Sequence, residues 1–248
     1  MTGLQRARVS DGVEVVRLDR PDRRNAMDTA SLDELLAALE DLAADAELRA
    51  VVFSTTSTRA LCAGADVAEE LDREGGIARM ERFARVYQAL TDLPVPTVAV
   101  CVGNVVGAGA EFAAACDLRV AGDNLKLAWA GAKLGVPVGP ARLVPLVGLS
   151  RAKELIYSGR AVGAEEAGRI GLAERVVPAE EAEAAALELA AQLAERPGEG
   201  LRRLKAMFRD YEDLSGRTAR ENATLLDWQR YGQGLPQGGI KAGGATRP

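Results

Sequence analysis

The run Thr97 to Val102 is apolar at every position after its threonine. A short unbroken apolar segment of this kind reads as a strand covered on both faces. Such strands belong to parallel sheets flanked by helices. It leads directly into Gly103-Asn104-Val105-Val106-Gly107-Ala108-Gly109, and then into Ala110 to Cys116, small and apolar except for Glu111. The chain therefore needs an α/β architecture with one tight, small-residue junction at its centre.

The flanking segments fit that frame. Val13 to Leu18 and Ala50 to Ser54 read as strands, and Asp19 to Asn25 is polar and turn-like. Ser31-Leu32-Asp33-Glu34 has the form of a capping box. It opens a helix whose Leu32, Leu35, Leu36, Leu39 and Leu42 recur at helical spacing. Ile77, Met80, Phe83, Tyr87 and Leu90 mark a second helix, ended before Pro94. Leu118 to Ala121 and Leu125 to Ala130 predict short strands, and Gly135 to Pro145 a structured loop. Ala152 to Ser158 and Ala164 to Ile170 predict short helices, and Val176-Val177 closes that unit. From Ala179 the pattern is helical, Ala179 to Glu195 and then Gly200 to Arg230 with a break at Gly216, before a Gly/Pro-rich end. Strand alternating with helix, followed by helix alone, predicts an α/β core over residues 1–195. A helical C-terminal region follows over 196–248.

Composition removes several functions. Among 248 residues there is no histidine. Ser-His-Asp and Cys-His catalysis and His-ligated metals are thereby excluded, and acid–base work falls to carboxylates, Tyr, Lys or water. The formal net charge of −5, with no basic cluster interleaved with aromatics, argues against nucleic acid as a partner. No apolar run is long enough to cross a bilayer. Residues Met1 to Ser10 lack the apolar region of a secretory signal, so a cytoplasmic location is expected. Cys62, Cys101 and Cys116 sit in apolar contexts at no zinc-like spacing and read as small buried hydrophobes. No metal site is expected.

Two junctions carry the candidate chemistry. Ala63-Gly64-Ala65 and Gly107-Ala108-Gly109 are both small enough for a ligand to approach the backbone. Two helix N-termini facing each other with their unpaired N–H groups would make an anion or oxyanion site. The same small residues would also permit tight helix–sheet packing. A dinucleotide-binding reading fails because the third glycine position holds Phe112, and no Gly-Lys-Ser/Thr exists for a phosphate loop. Glu111 admits two readings. A carboxylate in an apolar segment requires compensation. It is either ion-paired with an arginine such as Arg119, or a general acid/base whose proton affinity is raised by burial.

Five words occur in order: Arg24-Asn25-Ala26-Met27, Leu61-Cys62-Ala63-Gly64-Ala65-Asp66, Pro94 to Asp117, Leu134-Gly135-Val136-Pro137, and Ala152 to Pro178. With them the chain resembles the crotonase, or enoyl-CoA hydratase/isomerase, superfamily from Val13 to about Lys205. The resemblance implies a ClpP-like fold of repeated ββα units with a helical C-terminal trimerisation region, giving a homotrimer or hexamer. It implies an acyl-CoA substrate, with coenzyme A part of that substrate and no separate cofactor. It places the two oxyanion-hole N–H groups at Ala65 and Ala108, the latter where most relatives have Gly, and the first hydratase glutamate at Glu111. Coenzyme A contacts are implied for Arg23, Arg24, Ala63, Asp66, Val67 and Lys241. The second hydratase glutamate falls on Gly131, which sets the chain apart from an ordinary hydratase. A hydratase-like lyase, a single-carboxylate isomerase, a decarboxylase and a non-catalytic acyl-CoA-binding homologue all stay open.

Overall fold

The computed structural model describes residues 3–235. Among the described residues nine strands form two sheets. The larger has the order β1-β2-β3-β5-β7-β9, made of β1 Leu4–Ser10, β2 Val13–Leu18, β3 Ala50–Thr55, β5 Thr97–Cys101, β7 Leu118–Gly122 and β9 Arg175–Val177. β1 and β2 pair antiparallel across a turn at Gly12, and every later pairing in this sheet is parallel. The smaller sheet, β4 Ala60–Cys62, β6 Asn104–Val106 and β8 Lys126–Ala128, is wholly parallel. Each central strand of the large sheet is followed by one strand of the small sheet. The expected ββα repetition is thus present: β3–β4 precedes a helix, β5–β6 precedes a helix, and β7–β8 leads into a helical stretch.

The large sheet is covered on both faces, as the apolar Thr97–Cys101 strand requires. One face carries Val13, Val15, Val52, Val98, Val100 and Val120. Against it lies α7 (Ala182–Ala194), whose Ala182, Ala186 and Ala190 recur every four residues and let the helix sit flush. The other face carries Val16, Leu18, Val51, Phe53, Ala99 and Ala121. It packs with α1 (Thr29–Ala44), α2 (Arg73–Asp92) and α3 (Ala108–Ala115) into the main core.

Several local expectations change. α1 is capped by Asp28, which accepts from the Ser31 N–H at 2.9 Å. Ser31 therefore lies inside the first turn, and Glu34 accepts from Gly3 N instead of closing a capping box. The span Gly135 to Pro145 is only partly a loop. After a short 3₁₀ turn at Gly131–Leu134, α4 begins at Pro140 and runs to Val147. Proline fits the first helical position, where its missing N–H costs nothing. Pro145 lies inside this helix and removes the bond that its N–H would have made to the Ala141 carbonyl. α5 (Leu149–Ser158) and α6 (Ala164–Arg169) follow as expected. The C-terminal break falls at Asp213, which takes a left-handed conformation (φ 50°), between α8 (Gly198–Tyr211) and α9 (Leu214–Tyr231). Gly216 lies within α9. α9 folds back on α2, with Leu225 buried in the main core, and Asn222 donates to the Ala84 carbonyl at 2.9 Å.

Candidate active site

The small parallel sheet aims its three C-terminal strand ends at one place. Ala63-Gly64-Ala65 follows β4, Gly107-Ala108 follows β6, and Ala130-Gly131 follows β8. Carboxyl ends of parallel strands are where α/β proteins place ligands. Together they line a cavity of about 200 Å³, closed by Tyr87, Val136, Val138 and Leu225. Its wall is largely apolar, and no Asp or Glu is among its lining residues.

The first junction is held open by its neighbours. Met27 N–H donates to the Gly64 carbonyl and Asp66 N–H to the Met27 carbonyl, each at 2.8 Å. A parallel bridge of this form uses the residues on either side of Ala65 and leaves the Ala65 N–H without a protein acceptor among the described residues. Gly64 has φ +111°, which a side chain would strain. At the second junction Gly107 N–H donates to the Ala128 carbonyl at 2.9 Å. Ala108 is the first residue of α3, so its N–H has no intrahelical acceptor. Ala108 is not among the residues of positive φ, so the methyl that replaces the hydrogen of glycine leaves the donor in place. The two junctions touch. A Cβ on Gly109 would lie 2.1 Å from the Cys62 carbonyl oxygen, and one on Gly64 would lie 3.8 Å from Ala108 N. Close backbone contact at glycine thus brings two unpaired N–H groups to one side of the cavity.

Glu111 is one helical turn beyond Ala108 and 1% exposed. It is not part of the cavity wall. Its Oε2 accepts from Arg142 Nε at 2.7 Å, and Arg142 also pairs with Glu221 of α9. Glu221 in turn accepts from the Ala141 N–H at 2.8 Å. The Arg142 guanidinium lies 4.4 Å from the centroid of the Tyr87 ring, whose other surroundings include the cavity. Burial pushes the Glu111 carboxyl up to about 7. The Arg142 charge opposes that rise and the Glu221 charge adds to it. Glu111 Oε1 has no hydrogen-bond partner among the described residues. A methyl on Gly139 would meet Oε1, Trp129 Cδ1 and Ile156 Cδ1 at 3.1 Å each, so these three groups surround one point.

The partner of Glu111 is therefore Arg142 and not Arg119. Arg119 is committed elsewhere, donating to the Leu172 and Cys116 carbonyls at 2.8 and 2.9 Å and to Glu174 at 3.0 Å. Reading Gly135 to Pro145 as loop hid Arg142. An arginine set between Ala141 and Leu143 in an otherwise apolar segment was the available signal. Nothing local in the sequence pointed to Glu221, 110 residues after Glu111 in the chain.

Among the remaining candidates, Ala63, Ala65, Val67 and Ala108 line the cavity. Arg23 and Arg24 are exposed and make no ion pair among the described residues. Their turn is pinned beside the first junction, because Ala63 N–H donates to the Arg24 carbonyl at 3.0 Å. The buried Asn25 amide holds the turn, donating to Thr55 Oγ1 at 2.8 Å and to the Ala60 and Leu61 carbonyls at 3.1 Å. Asp66 faces away from the cavity. Its carboxylate accepts from the Ala68 N–H and lies 3.6 Å from Arg20. Lys241 lies outside the described residues. Trp129 is buried behind the cavity with its Nε1 unpaired. Cys62, Cys101 and Cys116 are buried thiols whose proton affinity burial raises to about 12.

Comparison with known proteins agrees with this geometry. Residues 8–227 match the family model described as enoyl-CoA hydratase/isomerase. A putative enoyl-CoA hydratase of Thermus thermophilus is 37% identical over 203 residues, covering 79% of this chain and 80% of the relative. A probable enoyl-CoA hydratase of Mycobacterium bovis is 35% identical over 172 residues, and the match spans 68% of this chain and 66% of that relative's length. The crystal structure of a probable enoyl-CoA hydratase from Mycobacterium smegmatis superposes with a TM-score of 0.81 at 29% identity, covering 92% of this chain and 93% of that one. A monofunctional enoyl-CoA isomerase from the same organism superposes at 0.72 and 29% identity, covering 86% and 95%. The chain belongs to the enoyl-CoA hydratase/isomerase, or crotonase, family.

Proposed function

We propose that the chain is an enzyme of enoyl-CoA hydratase/isomerase type that shifts the double bond of an enoyl-CoA thioester. The thioester carbonyl accepts from the Ala65 and Ala108 N–H groups. The Glu111 carboxylate removes a proton from the carbon next to the carbonyl. The electron pair left behind moves into the carbonyl, giving an enolate held by the two donors. Glu111 then returns its proton to the γ-carbon. No atom beyond the substrate's own is needed, and coenzyme A serves only as part of the substrate. Arg23 and Arg24 lie beside the first junction, where they offer positive charge to the nucleotide phosphates. Ala63 and Val67 contribute cavity wall on that side, and Asp66 shapes the loop between them. Lys241 is a further proposed phosphate contact.

One observation carries the choice of isomerisation over hydration: Gly131 stands on the cavity wall with no carboxylate there. Hydration in this family uses two glutamates on one water, and of the two positions that match them only Glu111 carries a carboxylate. The second reading, a binding homologue without turnover, draws support from the tight pairing of Glu111 with Arg142. A turnover panel of 2-enoyl- and 3-enoyl-CoA thioesters separates them. Conversion of 3-enoyl to 2-enoyl substrates supports the first. Tight binding with no conversion of any thioester supports the second.

The same reading includes self-association as a trimer or hexamer. α8 has no buried residue, and Leu204, Met207, Phe208 and Tyr211 form an apolar stripe at helical spacing, 43–78% exposed. Stripes of this size are favoured contact surfaces. Among the described residues no helix is long and apolar enough to cross a membrane, and a cytoplasmic site of action is part of the proposal.

A further inference from the structure

The buried network around Glu111 extends beyond the residues that touch substrate in the proposed reaction. Arg142 from α4 reaches Glu111 through Nε at 2.7 Å and Glu221 from α9 through Nη2. Glu221 is fixed a second time by the Ala141 N–H, 2.8 Å away. All three side chains are 9% exposed or less. The guanidinium carbon also lies over the ring of Tyr87, a residue of the cavity wall, 4.4 Å from its centroid. A surface pairing of this kind would hardly matter, but in a buried site each charge is felt by the others with little screening.

We propose that Arg142 and Glu221 are positioning residues that set the proton affinity of Glu111 and fix the orientation of its carboxylate. Arg142 occupies Oε2 and so fixes the carboxylate's orientation. It also stabilises the anion. Glu221 shares the guanidinium and draws part of its charge away, which keeps Glu111 a stronger base than an undivided Arg–Glu pair would be. The C-terminal helix thereby contributes to the chemistry without touching substrate. The inference rests on Glu111 being the acid/base of the proposed reaction.

The groups that face this site are few. Tyr87 comes from α2, Cys62 from β4, Arg142 from α4 and Glu221 from α9. Burial holds the Cys62 thiol near 12 and raises the Tyr87 phenol well above its ordinary range, so both stay neutral through the region where Glu111 changes charge.

The test uses full-length protein and two opposed substitutions. Glu221→Gln removes a negative charge and should move the Glu111 titration to lower pH. Arg142→Gln removes a positive charge and should move it to higher pH. Each shift is expected to be about 1 pH unit or more. Glu111 is followed directly by the infrared carboxyl band that disappears in Glu111→Gln, and separately by the pH dependence of kcat/KM. A general packing defect would not move the two titrations in opposite directions. Arg142→Lys, which keeps the charge, should restore most of the midpoint and serves if Arg142→Gln fails to fold. An unmoved band in folded Glu221→Gln overturns the inference. A band that moves while activity is indifferent to Glu111→Gln leaves the positioning intact and sinks the catalytic reading instead.

Discussion

Gly131 lies so close to the Val136–Val138 segment that a Cβ there would sit 3.0 Å from both the Val136 carbonyl oxygen and Val138 Cγ1. A side chain at this position, where the resemblance expects the second carboxylate, would crowd that segment. Gly131→Glu is expected to cost about 1–3 kcal/mol of stability through overpacking, and to leave hydration of 2-enoyl-CoA no faster than in the parent. Chemical denaturation and a hydration assay check the two halves. Restored hydration at unchanged stability would show that the missing group alone separates this chain from a hydratase.

Ala108 offers a way to delete one proposed oxyanion donor without deleting a side chain. As the first residue of α3 it occupies a position where proline is well tolerated. Ala108→Pro should fold with nearly the parent's unfolding midpoint. The lost N–H should reduce kcat by about 10²–10³. Loss of rate in parallel with loss of structure would leave no special role for the donor.

The pH dependence follows from burial. In the proposed reaction Glu111 acts as a base in its ionised form, and burial pushes its carboxyl up to about 7. The kcat/KM of the proposed isomerisation should therefore rise as pH increases through about 7 and fall away below it. An ordinary exposed carboxylate would place the midpoint some units lower. A flat profile between pH 5 and 8 would contradict the assignment.

Self-association is tested at Phe208, which is 69% exposed on the α8 stripe. Phe208→Glu should shift sedimentation from trimer or hexamer toward monomer while the isolated fold keeps its circular dichroism. An assembly unaffected by this charge would place the contact surface elsewhere.

The sequence made the central strand, both small-residue junctions and the buried acid legible, because each is a local pattern. Thr97–Cys101 reads as a doubly covered strand, while the small residues of Ala63-Gly64-Ala65 and Gly107-Ala108-Gly109 fitted either close ligand approach or tight helix–sheet packing. The Gly109 contact with Cys62 shows why the two junctions meet, and that contact joins segments far apart in the chain. Long-range pairing was not legible. Arg119 is nearer to Glu111 in sequence, but its guanidinium is taken by the Leu172, Cys116 and Glu174 acceptors. Arg142 wins because α4 packs against α3, and α4 was hidden by its Gly/Pro-rich approach. The helix break at Asp213 was likewise obscured, since Gly216 is the more obvious breaker and yet continues the helix.

Glu111 is proposed to move a proton at the carbon beside a thioester held by Ala65 and Ala108. The most direct test of that step is proton–deuterium exchange at that carbon, followed by NMR on 3-enoyl-CoA in D₂O with parent protein and Glu111→Gln. The parent should exchange the proton readily, and Glu111→Gln should slow exchange by about 10²-fold or more while binding the thioester with a similar Kd. Equal exchange by both proteins, or none by the parent despite binding, would contradict the account.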